Sequence, residues 1–251
     1  MIRVIAAREL RSLFVSPLAW VMLAVVQFII GYLFLTRIEL FLQFKPRLLA
    51  LENPPGLTDI VVAALFGNAG VVLLLVVPLL TMRLISEEHR NGTLPVLLAA
   101  PISMTEIVLG KYLGLLTFFI IMVLMISLMP LSLLLGGSLD MGQFGACLLG
   151  LCLVLASFTA IGLFLSSLTA YPTVAGVSTF GVLLLLWIID WAGSTGGDGV
   201  SGLFAYVSIM RHFQPLLKGV FNSADIIYYV LLSILFLILT VWRLDLDRLQ
   251  S

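Results

Sequence analysis

A run of 49 residues without a charged side chain, Met141 to Ile189, is the strongest constraint on how this chain folds. As one helix it would reach about 73 Å at 1.5 Å per residue, more than twice the roughly 30 Å hydrocarbon core of a bilayer. Water offers no way to hide it. Hydrophobic residues make up 61% of the 251 and charged ones 10%, against roughly 25% charged in an ordinary soluble domain. The run therefore belongs in a membrane and must fold back on itself. The turn falls at Ser166-Ser167-Leu168-Thr169-Ala170-Tyr171-Pro172, where Pro172 suits the first turn of a new helix.

The remaining charges act as rulers. Between Arg11 and Arg37 lie 25 uncharged residues, between Asp59 and Arg83 23, from Tyr112 to Leu139 28, and between Asp225 and Arg243 17. Each suffices for one span of about 20 residues, the last only with its flanks in the interface. The expected architecture is an all-α integral membrane protein: one transmembrane domain over 1–251, with spans near 17–36, 60–82, 112–135, 142–166, 171–190 and 224–242.

Lys/Arg asymmetry sets the expected orientation. Arg3, Arg8, Arg11, Arg83, Arg90, Lys111, Arg243 and Arg248 fall on the side of both termini; Arg37, Lys45, Arg47, Arg211 and Lys218 fall opposite. The richer side is expected to be cytoplasmic.

Three segments outside the spans carry structure. At helical spacing, Arg3, Arg8 and Arg11 share one half of the N-terminal segment, and Ile2, Ala6, Leu10 and Leu13 the other. It reads as an interfacial helix whose pattern Val4 and Glu9 disturb. In the loop from Arg83 to Lys111, Pro101-Ile102-Ser103 with Glu106 has the spacing of a capping box. Between Trp191 and Asp225, four glycines (Gly193, Gly196, Gly197, Gly199) precede an apolar stretch broken by Arg211, His212 and Pro215. Short re-entrant or interfacial helices are expected there, forming an outer gate segment with Arg211, His212 and Phe213.

Several chemistries are excluded by residue type. The two histidines, His89 and His212, fall on opposite faces, so neither serves a buried serine. No His-Glu-x-x-His occurs, and no span holds a carboxylate pair; Asp190, beside Trp191, reads as an interfacial residue. Gly110-Lys111 is the only Gly-Lys dipeptide and lacks the rest of a phosphate-binding loop. With zero net charge the chain offers no footprint for nucleic acid. Cys147 and Cys152 point roughly 140° apart on a helix and read as packing residues, not a disulfide or metal pair. Gly110-x-x-x-Gly114 and Ala156-x-x-x-Ala160 are patterns that let helices approach closely.

The loop is the most distinctive part. Its Arg83-Leu-Ile-Ser-Glu-Glu88-His-Arg-Asn-Gly92-Thr93, then Pro101-Ile-Ser103 and Glu106-Ile-Val-Leu-Gly-Lys111, resembles the hallmark loop of type-2 ABC exporter permeases. Arg8-Glu-Leu-Arg-Ser-Leu-Phe14-Val-Ser-Pro17, His212-Phe213 and Asp225-Ile-Ile-Tyr228 resemble its gliding-motility, GldF-like branch. The resemblance implies the transmembrane subunit of an ATP-driven exporter, itself binding no cofactor. ATP and Mg would sit on a separate ABC ATPase, in two copies, beneath two permease chains in a homo- or heterodimer. An extracytoplasmic accessory protein and membrane lipid are further candidate partners, and a bacterial cytoplasmic (inner) membrane is the implied location. The ATPase-coupling surface would comprise Glu87, Glu88, Arg90, Gly92, Thr93, Pro101, Ser103 and Glu106, with Arg8, Glu9 and Arg11 of the N-terminal helix. The loop charges are expected to matter for coupling and little for folding. Two other readings compete: a non-transporting scaffold in an ABC-ATPase-driven mechanical or assembly complex, and an intramembrane enzyme.

Overall fold

The structure is a computed structural model that describes residues 1–48, 56–92, 103–135, 139–195 and 206–250, apart from the side chains of 46–48, 190–195 and 249–250. Every element within them is helical. In chain order these are α1 (Ile2–Val15), α2 (Pro17–Leu48), a π-helical turn (Thr58–Val62) running into α3 (Ala63–Thr81), α4 (Ser86–Arg90) and α5 (Met104–Leu131), which ends in a 3-10 turn. Then follow α6 (Met141–Ser167), α7 (Pro172–Thr195), α8 (Ile209–Leu217) and α9 (Ser223–Gln250). Six helices among the described residues are long and apolar enough to cross a membrane. The chain is an all-α integral membrane protein.

The fold-back inside the uncharged run comes where the polar cluster directs it. α6 stops at Ser167, Thr169 Oγ1 accepts the Tyr171 N–H at 3.1 Å, and Pro172 opens α7. α6 is the axis of the bundle: 61% of its most apolar stretch is buried, against 22% in α7 and α9 and 28% in α2. It can be central because it carries small residues where neighbours cross, including Ala146, Gly150, Ser157, Ala160 and Gly162, all buried. At Gly162 the side chain of Thr81 from α3 occupies the space a Cβ would need. Ser157 Oγ donates to Leu153 O at 3.1 Å and reaches Tyr229 O of α9 at 3.3 Å. Such hydroxyls, bonded within the helix, are tolerated in an apolar setting.

The helices outrun the charge-free intervals that define them. α5 begins at Met104, so Lys111 lies inside the helix and not at its margin. Its start is the capping box expected from sequence: Ser103 Oγ accepts the Glu106 N–H at 3.2 Å, and Glu106 Oε2 accepts the Ser103 N–H at 3.4 Å. That box opens the third span itself. The short helix of the loop is α4, which follows α3 after a bend at Met82–Ile85.

Both termini lie at one end of the bundle. α1 packs on the first half of α5, and Trp242 and Asp245 near the end of α9 share a groove with Thr105 and Val108 of α5. α4 lies at this terminal end; α8 lies at the far end.

Candidate functional site

At the terminal end, α1 is seated on α5 by two missing side chains. A Cβ on Gly110 would stand 2.6 Å from Ile5 Cβ, and one on Gly114 would stand 2.8 Å from Glu9 Cβ and 2.9 Å from Ala6 O. The Gly-x-x-x-Gly pattern therefore works within the chain, bringing the N-terminal helix against the third span. Farther along, the Phe14 ring meets Phe118 and Trp20 edge-on, each at 5.6 Å. Trp20 Nε1 donates to Phe14 O at 2.8 Å across the extended Ser16, fixing the corner where Pro17 opens α2. α1, expected as an interfacial helix, has one side docked on protein: Ile5, Leu10, Leu13 and Phe14 join the core's edge while Arg3, Arg8 and Arg11 are exposed.

Glu9, which disturbs the amphipathic pattern, has a partner. Lys111, only 5% exposed, places its Nζ 3.6 Å from Glu9 Oε2 and 2.8 Å from Glu88 Oε1. One cation on α5 thus holds a carboxylate from α1 and another from α4. A buried ammonium is costly unless paired, and this one has two half-buried counter-ions.

α4 is also tied at its start. Ser166 Oγ at the end of α6 accepts the N–H groups of Ile85 and Ser86, both at 3.1 Å, and donates to Met82 O at 3.2 Å. Ser86 Oγ bonds Met82 O as well. A five-residue helix with no cap of its own is thereby capped from another span. Its end is Gly92, at φ +67, the left-handed conformation that suits a glycine terminator.

The expected coupling residues divide accordingly. Glu87 and Arg90 of α4, with Arg8 and Arg11 of α1, are exposed. Glu88 and Glu9 turn inward to Lys111. That corrects the expectation that the loop charges matter little for folding: truncating Glu88 would strip its nearer partner from a buried lysine. Ser103 and Glu106 serve the start of α5, and Gly92 ends α4. Thr93 and Pro101 lie outside the described residues, as does the side chain of Asp190. Sequence reasoning did not single out Lys111 beyond the Gly-Lys of the motif, and it placed Ser166 in the turn after the fourth span without seeing that it caps α4.

At the far end, α8 has nine residues, about 13 Å of helix, too short to cross. Ile209, His212, Phe213, Leu216 and Leu217 are buried at helical spacing, whereas Arg211 is exposed. Glycines on two spans make its seat. Phe213 lies 3.3 Å from where Gly70 would carry a Cβ, and Leu216 3.0 Å from that of Gly150. Gly150 is nine residues into α6, roughly 13 Å along it, so α8 dips into the bundle as a short re-entrant helix. Gln143 Nε2 donates to Leu217 O at 3.0 Å and to Asp59 Oδ1 at 2.9 Å, satisfying the exposed carbonyl end. Gly219, at φ +78, turns the chain out again. The flexible bend expected from Gly193 onward does not begin there, since α7 continues through Thr195; 196–205 are outside the described residues.

α8 is fastened to the first turns of α9 by three contacts. Tyr228 Oη donates to Val207 O at 2.6 Å, Tyr229 Oη donates to Ile209 O at 2.8 Å, and His212 Nδ1 lies 2.6 Å from Asp225 Oδ1.

Among the described residues the arrangement is a set of ties linking two end elements to the spans. No curated protein matches the chain. A family model described as ABC-2 family transporter protein matches residues 3–246. The chain belongs to the ABC-2 transporter family and is an ABC transporter permease subunit.

Proposed function

We propose that the chain is the membrane half of an ATP-driven exporter, in which α4 receives motion from a separate ATPase and hands it to the spans. The observation that carries this reading is the double attachment of α4: Glu88 to Lys111 of α5, and its capping N–H groups to Ser166 of α6. A helix this short has little rigidity of its own. Tied at its start and its middle, it cannot move without pulling on two spans, and through the shared Lys111 it also pulls on Glu9 of α1. The exposed Glu87 and Arg90, with Arg8 and Arg11, are left to meet the partner.

In this reading the terminal end is cytoplasmic, in agreement with the Lys/Arg bias, and the membrane is a bacterial inner membrane. Two permease chains pair above two ATPase copies, which hold the ATP and Mg. α8 closes the extracytoplasmic mouth, where an accessory protein would have access. The gliding-motility-like motifs keep that branch as the finer assignment.

The test is the response of the complex to a trapped nucleotide. Adding ATP and vanadate to the complex of full-length permease and its ATPase should change amide hydrogen exchange in α5 and α6. In Lys111→Met the ATPase should still bind but the exchange change should shrink or vanish. An equal response in Lys111→Met would show that force does not pass through this contact.

A further inference from the structure

His212 is 7% exposed, and both of its ring nitrogens face acceptors. Nδ1 lies 2.6 Å from Asp225 Oδ1 and Nε2 lies 3.0 Å from Tyr206 O. A backbone carbonyl only accepts, so Nε2 must carry a hydrogen. With Asp225 ionised, Nδ1 must carry one too, making the ring an imidazolium. Writing that proton on Oδ1 instead leaves the count unchanged: two hydrogens for two contacts.

Removing one proton leaves a single hydrogen for both contacts, so one becomes acceptor against acceptor. It also leaves a net negative charge on a pair in which Asp225 is 5% exposed. Asp225 Oδ2 has no hydrogen-bond partner among the described residues, so no second donor would offset that charge. Two rings enclose it: Tyr228 stacks on it at 4.1 Å and 21°, and Tyr206 lies nearly perpendicular to it at 5.6 Å.

We propose that His212 and Asp225 form a proton-dependent latch that pins the re-entrant helix α8 to the last span and releases it as the proton is lost. The pinned state holds the extra proton, so it is favoured at lower pH and weakened as pH rises. Histidine is the side chain whose charge ordinarily changes between about pH 5 and 8.

Among the described residues, the other titratable groups around α8 do not compete for this role. From α9 the ring meets Asp225 and Tyr228, with Tyr229 behind and bonded to Ile209 O; from the preceding segment it meets Tyr206. Arg211 and Lys218 on α8 and its cap are exposed. α6 faces α8 with Gln143 and Cys147, which bond Leu217 O, and Asp59 reaches that end through Gln143. α3 and α7 contribute Gly70 and Trp187. Release therefore begins at the Ser208 end of α8, while the Leu217 end stays tied.

The latch rests on the proposed role of α8 as an outer closure only for its consequence in transport. Its chemistry can be tested with both sides of the membrane in one buffer. Amide exchange of the full-length protein in nanodiscs, normalised to unstructured-peptide rates, would be measured at about pH 6 and pH 8.5, either side of the histidine range. Wild-type protection in α8 should fall about tenfold or more as pH rises, with α3 and α5 unchanged; in His212→Gln and Asp225→Asn it should be nearly flat. Two variants are used because either substitution alone could impair insertion. A flat wild-type response, the same slope in a folded variant, or a loss of protection spread evenly over α3, α5 and α8 would overturn the latch. None of these outcomes bears on whether an ATPase drives the protein.

Discussion

Lys111 Nζ stands 2.8 Å from Glu88 Oε1, joining the third span to a five-residue helix that lies 23 positions earlier in the chain. The contact gathers α1, α4 and α5 around one nearly buried ammonium, since Glu9 approaches it as well, at 3.6 Å. Glu88 and its neighbour Glu87 are chemically identical and adjacent, yet they do opposite things: one holds the bundle together and the other faces outward.

Separating those two carboxylates by mutation should separate stability from surface chemistry. Lys111→Met removes the one cation that bridges the half-buried carboxylates of Glu9 and Glu88. It should lower stability by about 1–3 kcal/mol, less than a fully buried pair would because both carboxylates are partly solvated. Glu87→Gln should stay within about 0.5 kcal/mol of wild type. Thermal unfolding of the detergent-solubilised protein measures both. Equal stability of Lys111→Met and wild type would mean that the three-way contact does not hold the bundle.

The seat of α1 depends on Gly114. Its missing Cβ would lie 2.9 Å from a backbone oxygen, Ala6 O, which cannot rotate away as a side chain could. Gly114→Val should push α1 off α5 at a cost of about 1–3 kcal/mol. Amide exchange in α1 should accelerate while α3 stays protected. An unchanged α1 would show that the close approach is not needed.

Ser166→Ala removes one acceptor that serves two buried N–H donors, those of Ile85 and Ser86. The expected cost is about 1–3 kcal/mol, with faster exchange confined to α4. Exchange in α8, at the other end of the molecule, should not change; a shift there would show that the two ends are coupled more tightly than their contacts indicate.

How much of this could be read from the chain follows from the range of each interaction. The spans were legible because Arg11, Arg37, Asp59, Arg83, Asp140, Asp225 and Arg243 bound long stretches without a charge. The capping box was legible because Ser103 and Glu106 are three residues apart. Lys111 misled the ruler: a lysine can sit inside a helix when its counter-ions arrive from other elements, and Glu9 comes from the far N-terminus. Glu9 left a trace as the residue that spoiled the pattern of α1. Ser166 left none, because a serine at the end of a span looks alike whether it caps a distant helix or meets water. The depth of α8 was hidden as well, since its seat comes from Gly70 and Gly150 on two different helices.

Orientation is checked by labelling single cysteines in a Cys147→Ala, Cys152→Ala background with a membrane-impermeant maleimide. Ser138→Cys and Ser201→Cys should react in intact cells, Asn91→Cys and Ser251→Cys only after permeabilisation, as the Lys/Arg bias requires. The reverse pattern would place α4 outside the cell, out of reach of any cytoplasmic ATPase.

The exposed face of α4 offers the most direct measurement. Full-length permease carrying Glu87→Ala and Arg90→Ala, co-expressed with its ATPase and purified through a tag on the permease, would be compared with wild type for ATPase retained and for unfolding temperature. Losing interfacial charge partners costs roughly 2–5 kcal/mol of binding, so retained ATPase should fall about tenfold or more while the unfolding temperature stays put. Full retention of a working ATPase by the double variant would contradict α4 as the coupling element.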